Sequence, residues 1–134
     1  MSSSAKKIVR ARDAMRAGVI TIDGLATAKE AVARMREHQI NSLLVEKRHA
    51  DDVWGIVTIR DLIQGVIVPG RPAVDVNVFE VMTKPIVMVP ADMDIRYVAR
   101  LLHRTRLSQV PVEHFGELLG MISLSSLVLH EDIF

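Results

Sequence analysis

The sequence predicts an α+β fold made of two tandem repeats, each with the order strand, helix, strand, strand, helix. The first observation behind this prediction is an octapeptide, residues 55–62, whose pattern returns 65 residues later at residues 120–127. The second is a register of matching residues that starts with Met15 and Met82 and keeps an offset of 67. A fixed internal offset of this kind indicates a duplicated supersecondary unit.

In the first repeat, the sequence predicts a strand, a helix, two strands and a closing helix. A short β-prone run lies at residues 19–22, and Thr27 and Glu30 form a capping box, so a helix is expected to begin there. The charged stretch 47–52 lies between two apolar runs and predicts a solvated hairpin loop. The strands beside this loop and the closing helix are expected at residues 42–45, 53–57 and 58–65.

The second repeat predicts the same order, with Asp94 in the capping place of Thr27. Residues 68–72 contain two prolines and a glycine and cannot continue a helix, so they mark a linker, and a short helix is expected at residues 76–82. The remaining elements are a strand, a helix, two strands and a helix at residues 86–89, 94–104, 109–112, 118–122 and 123–129. The predicted boundaries are 10–68 for the first repeat, 69–77 for the linker and 78–130 for the second repeat.

The pattern of residues 55–62 predicts a strand that turns directly into a helix. Thr58 can cap this helix, and Asp61 follows three residues later on the same helix face. Backbone N–H groups at a helix start attract anions, and a carboxylate beside them accepts hydrogen bonds from neutral hydroxyls such as a ribose diol. The pair therefore suits a ligand with a sugar and a phosphate. The simpler alternative is a helix cap and a first-turn acid, stabilising by about 1 kcal/mol.

The repeated pattern resembles the cystathionine-β-synthase (CBS) domain pair, also called a Bateman module. Residues 55–62 match that family's glycine–apolar–x–Thr/Ser–x–x–Asp signature, residues 106–112 resemble its second-strand segment, and Met82 and Thr83 resemble its common opening. The resemblance implies that the two repeats pack by pseudo-twofold symmetry, with their sheets together and their helices outside. It also implies two clefts between the repeats that bind adenosine-containing ligands.

The resemblance assigns a role to each residue of the first cleft. Thr58 would touch phosphate or ribose, Asp61 would accept from the ribose hydroxyls, and Ile56 would line the base pocket. The facing repeat would add Ile86, Val87, Met88, Leu107 and Ser108. Lys84, Arg104 and Arg106 are candidate phosphate neighbours, although a solvated face is the simpler interpretation of each.

The second signature departs from the pattern because Ser126 stands in place of the aspartate. Serine offers no bidentate carboxylate, so this weaker second cleft is expected to bind ribose poorly. Its residues would be Ser123 and Ser126, facing Val19, Ile20, Thr21, Ile40 and Asn41. The sequence therefore predicts one competent nucleotide cleft per chain.

The composition narrows the classes of function. The chain has 134 residues, 49% of them hydrophobic, and a formal net charge of +1, which gives no strong electrostatic case for nucleic acid or a membrane surface. The sequence lacks cysteine, and its five histidines show no ligand spacing, so we expect no metal site and no catalytic residues. Residues 1–7 have no apolar run after their lysines, so we expect no secretory signal. The lack of cysteine fits a reducing compartment, and we expect a cytoplasmic location.

Three functions remain open. The first is a non-catalytic regulatory module that senses AMP, ADP, ATP or a similar adenosine compound and signals to an unknown partner protein. The second is a structural dimerisation module with a vestigial cleft, and the third, a small enzyme, has the least support. The closing helices are rich in apolar residues, which predicts a homodimer interface, as the family resemblance also implies. These residues are Leu62, Ile63, Val66, Leu127, Val128 and Leu129.

Overall fold

The computed structural model describes residues 8–134 and divides them into two compact units. The first unit is residues 20–86, and the second combines residues 8–19 with residues 87–134. None of the helices in this part of the chain is long and apolar enough to cross a membrane. The expectation that the N-terminal seven residues carry no secretory signal lies outside the described residues.

Helices and strands follow the predicted order, except that a short helix and a two-residue strand, neither of them predicted, precede the strand expected at residues 19–22. The helices are α1 (Ala11–Ala14), α2 (Ala28–His38), α3 (Ile59–Leu62), α4 (Val78–Val81), α5 (Ile95–Thr105) and α6 (Leu124–Val128). A π-helical turn, Ile63–Ile67, continues α3, and a 3-10 turn spans Ala73–Asp75. The strands are β1 (Arg16–Ala17), β2 (Thr21–Ile22), β3 (Ser42–Val45), β4 (Gly55–Thr58), β5 (Val89–Pro90), β6 (Gln109–His114) and β7 (Glu117–Ser123).

The first unit contains a three-stranded sheet in the order β2-β3-β4. Strands β2 and β3 are parallel, whereas β3 and β4 form an antiparallel pair that places Ser42 opposite Thr58 and Val45 opposite Gly55. Helix α2 buries Ala28, Ala31 and Met35 against this sheet, in a cluster that also includes side chains of α3 and α4. This cluster holds the start of α3, and therefore the predicted signature, in a fixed place.

The second unit contains a four-stranded sheet in the order β1-β7-β6-β5. Strands β5 and β6 are parallel, and β7 pairs antiparallel with β6 and with β1. Helix α5 packs Ile95, Val98 and Leu102 into the buried cluster of this unit. The same order of strand, helix, strand, strand and helix therefore occurs in both units, and the predicted α+β fold class is confirmed.

The predicted caps of the two long helices are confirmed. Thr27 and Glu30 form the capping box of α2, with the Glu30 backbone N–H donating to Thr27 Oγ1 at 3.1 Å. Asp94 caps α5 by accepting a hydrogen bond from the backbone N–H of Arg96 at 2.9 Å. Both helices end at a residue in the left-handed region, Gln39 after α2 and Arg106 after α5. Such residues stop a helix by turning the chain away from its axis.

Several predicted boundaries are corrected. The strand expected at residues 86–89 is limited to Val89–Pro90, because only these two residues pair with β6. The first strand begins at Thr21, and β4 begins at Gly55 rather than at residue 53. The closing helix of the first repeat continues through the π-helical turn to Ile67, two residues beyond its predicted end.

Two predictions about side-chain exposure, one for the closing helices and one for the hairpin loop 47–52, are wrong in part. Half of the apolar residues assigned to an interface are core residues, since Leu62, Val66 and Leu127 are buried within their own units. The other half, Ile63, Val128 and Leu129, are exposed. The hairpin loop 47–52 is not fully solvated, because the side chain of Asp52 is only 7% exposed.

Candidate functional site

Thr58 is the last residue of β4 and the N-cap of α3, so the strand and the helix meet at this residue. Its Oγ1 accepts a hydrogen bond from the backbone N–H of Asp61 at 3.2 Å. In return, the backbone N–H of Thr58 donates to Asp61 Oδ2 at 2.9 Å. This reciprocal capping box fixes the rotamers of both side chains at the helix start.

Asp61 is half-buried, and hydrogen bonds hold both of its carboxylate oxygens. Oδ2 accepts from the Thr58 hydroxyl at 3.0 Å in addition to the Thr58 backbone. Oδ1 accepts from the hydroxyl of Thr83 at 3.2 Å. The carboxylate is therefore pre-oriented, and each of its oxygens already accepts from a neutral hydroxyl donor.

Thr83 belongs to the family's common opening, and the resemblance alone assigns it no place in the site. The structure pairs its backbone with that of Ile56, since Ile56 N donates to Thr83 O at 2.9 Å and Thr83 N donates to Ile56 O at 2.8 Å. This bridge brings a residue 22 positions away against Asp61. The one sequence feature that could have assigned Thr83 to the site is its place directly after Met82 in the opening motif.

The signature glycines explain how a second segment can run so close to each strand. At Gly55, a Cβ would lie 3.0 Å from Met82 Sδ and 3.3 Å from the carbonyl oxygen of Thr83. At Gly120, a Cβ would collide with the carbonyl oxygen of Arg16. In both units, therefore, the glycine admits the backbone of the segment that follows the matched methionine, Met15 or Met82.

In both units, the first residue of the closing helix is hydrogen-bonded to the residue that precedes the neighbouring strand. The backbone N–H of Ile59 donates to the carbonyl of Asn41, and that of Leu124 donates to the carbonyl of Ser108, each at 3.1 Å. The first residues of the two closing helices therefore have equivalent partners. This is the local geometry expected of a duplicated unit.

The second signature keeps the cap but not the charge. Ser126 Oγ accepts from the backbone N–H of Ser123 at 2.9 Å and donates to the Ser123 carbonyl at 2.8 Å. The backbone N–H of Ser126 donates to Ser123 Oγ at 3.2 Å, so the box is complete. Serine therefore replaces the structural role of the aspartate and leaves no carboxylate at the helix start.

The predicted site residues are divided between the two units. The first unit contains Thr58, Asp61, Ile56 and Ile86, together with Ile20, Thr21, Ile40 and Asn41 of the second predicted cleft. The second unit contains Val87, Met88, Leu107 and Ser108, together with Ser123, Ser126 and Val19. The structure brings Thr58, Asp61 and Thr83 together within the first unit, with Ile56 buried beside them. The role of the facing residues stays a prediction.

Lys84 differs from its predicted solvated state. Its Nζ lies 2.8 Å from Asp52 Oδ2, and its side chain is only 20% exposed. Arg48 contacts the same oxygen at 3.0 Å. Hydrogen bonds from Arg48 and then from Lys84 lower the pKa of Asp52 well below its usual range. Arg104 and Arg106 are exposed, as expected.

The described residues contain no group of three or more histidine, aspartate or glutamate side chains placed to hold a metal ion. The candidate site is thus a hydroxyl, a carboxylate and the first backbone N–H groups of a helix. Such a set can recognise hydroxyl and phosphate groups by hydrogen bonding.

The CBS domain family matches this chain twice, at residues 11–67 and at residues 78–131. An uncharacterized protein of Methanopyrus kandleri is 30% identical over 114 residues, which are 84% of this chain and 58% of that protein. A mitochondrial CBS domain-containing protein of Arabidopsis thaliana is 28% identical over 105 residues, which are 76% of this chain and 51% of that protein. The chain thus spans between half and three fifths of the length of these two relatives.

Solved structures of CBS domain proteins are also similar to this chain. The hexameric CBS-CP12 protein from bloom-forming cyanobacteria has a TM-score of 0.88 at 38% identity, covering 93% of this chain and 72% of that protein. A CBS-domain containing protein from Agrobacterium tumefaciens has a TM-score of 0.80 at 28% identity, covering 90% of this chain and 98% of that protein. The first of these is described as a hexamer, a property of that protein.

Proposed function

The chain belongs to the CBS domain family, and on this basis we propose that it is a non-catalytic regulatory module that binds an adenosine-containing ligand at Thr58 and Asp61. AMP, ADP and ATP are the ligands we expect, and a partner protein reads the bound state. The observation that carries the proposal is the pre-oriented Asp61 carboxylate at the start of α3. A carboxylate held in this way accepts hydrogen bonds from a ribose without further ordering.

The Thr83 hydroxyl supports the same assignment. It donates to Asp61 Oδ1 at 3.2 Å, which is long for a hydrogen bond between oxygen atoms. A ribose hydroxyl can replace this donor and make a shorter, charge-assisted bond to the same oxygen. Hydrogen bonds to charged groups contribute about 1.5–3 kcal/mol, so loss of the Asp61 charge weakens ribose binding by about tenfold or more.

Isothermal titration calorimetry with AMP, ADP and ATP tests the proposal. Binding of at least one nucleotide is expected in the natural sequence, with an affinity about tenfold or more weaker in Asp61→Asn. This substitution keeps an oxygen that can accept from the Thr58 backbone, so the helix cap survives. Glu30→Gln changes the acid of the α2 capping box in the same way and is the matched control. Equal affinity in Asp61→Asn and the natural sequence contradicts the proposal.

Self-association belongs to the proposed mode of action, as a homodimer in the cytoplasm. Exposed apolar side chains on and around both closing helices support it, since surfaces of this kind commonly serve as interfaces. They are Ile63, Ile67 and Val68 in the first unit and Leu124, Val128 and Leu129 in the second.

A dimerisation module with a vestigial ligand site is the second candidate function. Ser126 favours it, because the second signature keeps its cap while lacking the carboxylate. The two candidates differ in the calorimetric result. A dimer that binds none of the three nucleotides at about 1 mM supports the second candidate and rejects the first.

A further inference from the structure

The first unit contains a cavity of about 770 Å³ that the signature does not use. Small-molecule sites commonly enclose roughly 300–1,000 Å³, so this cavity is large enough for a ligand. Its lining comes from the segment after β2, from the end of β3 with the residues that follow it, and from α4 with its C-terminal continuation. These lining residues are Asp23, Gly24, Leu25, Val45, Glu46, Lys47, Arg48, Phe79, Met82 and Lys84.

The cavity lies at the end of the sheet opposite to the signature. In the β3–β4 pair, Thr58 is opposite Ser42, whereas the cavity residue Val45 is opposite Gly55. Three residues of strand separate these two ends, which corresponds to about 10 Å. A molecule in the cavity therefore contacts residues other than Thr58 and Asp61.

The lining includes large apolar side chains that remain exposed to solvent. Leu25 is 75% exposed and Phe79 is 46% exposed, although both are large hydrophobic residues. Their backbones are fixed, since Phe79 N donates to the Gly24 carbonyl at 2.9 Å and Leu25 N donates to Asp23 Oδ1 at 2.8 Å. Together with Met82, they offer a pre-formed apolar wall to a ligand ring.

The lining also includes basic side chains. Arg48 and Lys84 share Asp52 Oδ2 at 3.0 and 2.8 Å, so their cationic groups lie close together and exceed the charge of that carboxylate by one. The Asp52 side chain is almost fully buried, whereas that of Arg48 is 75% exposed. An incoming group therefore meets the guanidinium of Arg48 rather than the carboxylate.

Lys47 adds a further positive charge next to Arg48, and it makes no ion pair within residues 8–134. The two carboxylates of the lining accept hydrogen bonds from neutral groups, Asp23 from the Leu25 backbone and Glu46 from the Thr21 hydroxyl at 2.9 Å, and keep their negative charges. Because Asp23, Glu46 and Asp52 together balance the three cations, an anion would be bound by direct hydrogen bonds to the cationic groups rather than by a net positive charge.

We propose that this cavity is a second ligand site, which binds a small organic anion with an aromatic body. A phosphate or carboxylate group binds Lys47, Arg48 and Lys84. The ring packs against Leu25, Phe79 and Met82. Neither half of such a ligand is satisfied alone, because the cations contact only the charged group and the apolar wall contacts only the ring.

The segment that follows α4 joins this cavity to the signature. Met82 and Lys84 line the cavity, and Thr83 between them donates to Asp61 Oδ1. Successive side chains of an extended segment point in opposite directions, which is consistent with this arrangement. A ligand that moves Met82 or Lys84 therefore also changes the environment of the Thr83 backbone.

Nuclear magnetic resonance of the ¹⁵N-labelled chain, titrated with phenyl phosphate, tests the proposal. Chemical shift changes are expected at the amides of Leu25, Lys47 and Phe79. Phenyl phosphate is expected to bind about tenfold or more tightly than inorganic phosphate or benzyl alcohol, which each carry only one half of the ligand. Titration with benzoate distinguishes a carboxylate from a phosphate as the preferred anion.

Two pairs of variants separate the contributions of charge and ring. Lys47→Glu is expected to weaken phenyl phosphate binding by about tenfold, whereas Lys29→Glu, the same change on the exposed face of α2, leaves it unchanged. Leu25→Ser is expected to weaken binding of phenyl phosphate but not of inorganic phosphate. Shift changes at Leu25, Lys47 and Phe79 report on the cavity and those at Thr58 and Asp61 report on the proposed adenosine site, so binding at the two sites is distinguished residue by residue.

Three results overturn the proposal. The first is the absence of shift changes at Leu25, Lys47 and Phe79 with phenyl phosphate and with benzoate. The second is equal binding of phenyl phosphate and inorganic phosphate, which leaves no role for the apolar wall. The third is equal weakening by Lys47→Glu and Lys29→Glu, which indicates attraction to overall charge rather than to this cavity.

Discussion

Asp61 and Ser126 occupy the same position in two capping boxes, so the two signatures differ in charge while their helix starts have the same hydrogen-bond pattern. In each box the residue accepts from the backbone N–H three positions earlier at 2.9 Å. Either side chain, aspartate or serine, can therefore complete the capping box at the helix start. The proposed recognition of a ribose requires the aspartate, because serine has no carboxylate.

Ser126→Asp tests this distinction. The new carboxylate is expected to accept from the Ser123 backbone as Asp61 accepts from Thr58, so the fold is retained. If the charge is what the second signature lacks, nucleotide stoichiometry rises from one to two per chain, as measured by calorimetry. Ser125→Asp adds the same charge at an exposed neighbouring position, and its stoichiometry is expected to stay at one. A second binding event in Ser125→Asp contradicts this account.

Asp52 is predicted to make stability depend on pH. Because Arg48 and Lys84 lower its pKa in the folded chain, its stabilising contribution is present above the unfolded pKa, about 3.9 for an aspartate. That contribution is lost as the pH falls through the folded pKa. Asp52→Asn is expected to lower Tm by a few degrees at pH 7, with a smaller difference at pH 3.

Thermal denaturation followed by circular dichroism measures both differences. Asp51→Asn is the matched control, because Asp51 is the exposed neighbour of Asp52. Its Tm is expected to equal that of the natural sequence at both pH values. An Asp52→Asn variant as stable as the natural chain at pH 7 argues against a stabilising ion pair.

The elements that the sequence predicted well are those long enough to show a period or a cap. Helices α2 and α5 each have 11 residues, and their starts at Thr27 and Asp94 were predicted correctly. Strand β3 was predicted without error because its four residues are apolar or small and lie between polar ones. For these elements, local sequence and tertiary packing favour the same structure.

The elements that the sequence missed are short and depend on distant partners. Strand β1 has two residues, Arg16 and Ala17, which pair with Met121 and Gly120 of β7. Helix α1 has four residues, too few to show a helical period. Thr83 was not assigned to the site for a similar reason, since its bond to Asp61 exists only because its backbone pairs with Ile56. Pairing over such separations leaves no local pattern in the sequence.

Gly65 lies in the π-helical turn and is predicted to be required for the packing of that turn against α4. A Cβ at this position would collide with the side chain of Val81. Gly65→Ala is therefore expected to lower the free energy of unfolding by about 1–3 kcal/mol, as overpacking does in a tight core. Urea denaturation measures this change.

Val81→Ala supplies the control for that prediction. The double variant, Gly65→Ala with Val81→Ala, removes the colliding methyl groups and is expected to be more stable than the sum of the single changes predicts. Additive effects in this double-mutant cycle would show that the destabilisation does not come from contact with Val81.

At the scale of the whole molecule, the compact units and the sequence repeats divide the chain at different places. The repeats meet at the predicted linker, residues 69–77, whereas the units divide the chain after Val19 and after Ile86. Residues 8–19, which precede β2 of the first repeat, therefore belong to the unit of the second repeat. Likewise, residues 78–86, which precede β5 of the second repeat, belong to the unit of the first repeat. Sequence similarity cannot reveal this exchange, because it detects the duplicated pattern and not which copy a segment contacts.

The exposed apolar residues on and around the two closing helices predict that the chain forms a dimer. Static light scattering at micromolar concentration is expected to give the mass of a dimer. Ile63→Asp places a charge among these residues and is expected to shift the population towards monomer. Phe115→Asp removes an apolar side chain that is even more exposed, in the β6–β7 turn, and is expected to leave the dimer intact. A monomeric natural chain, or equal dissociation by both variants, contradicts the predicted interface.

The central claim is that the Thr58–Asp61 signature binds an adenosine nucleotide, and the most direct measurement is a chemical shift map of the ¹⁵N-labelled chain with AMP, ADP and ATP. Saturable shifts are expected at the amides of Thr58, Asp61 and Thr83 with at least one nucleotide, and they are expected to be lost in Asp61→Asn. Saturable shifts that leave these three amides unchanged, or no shifts with any of the nucleotides, would contradict the account.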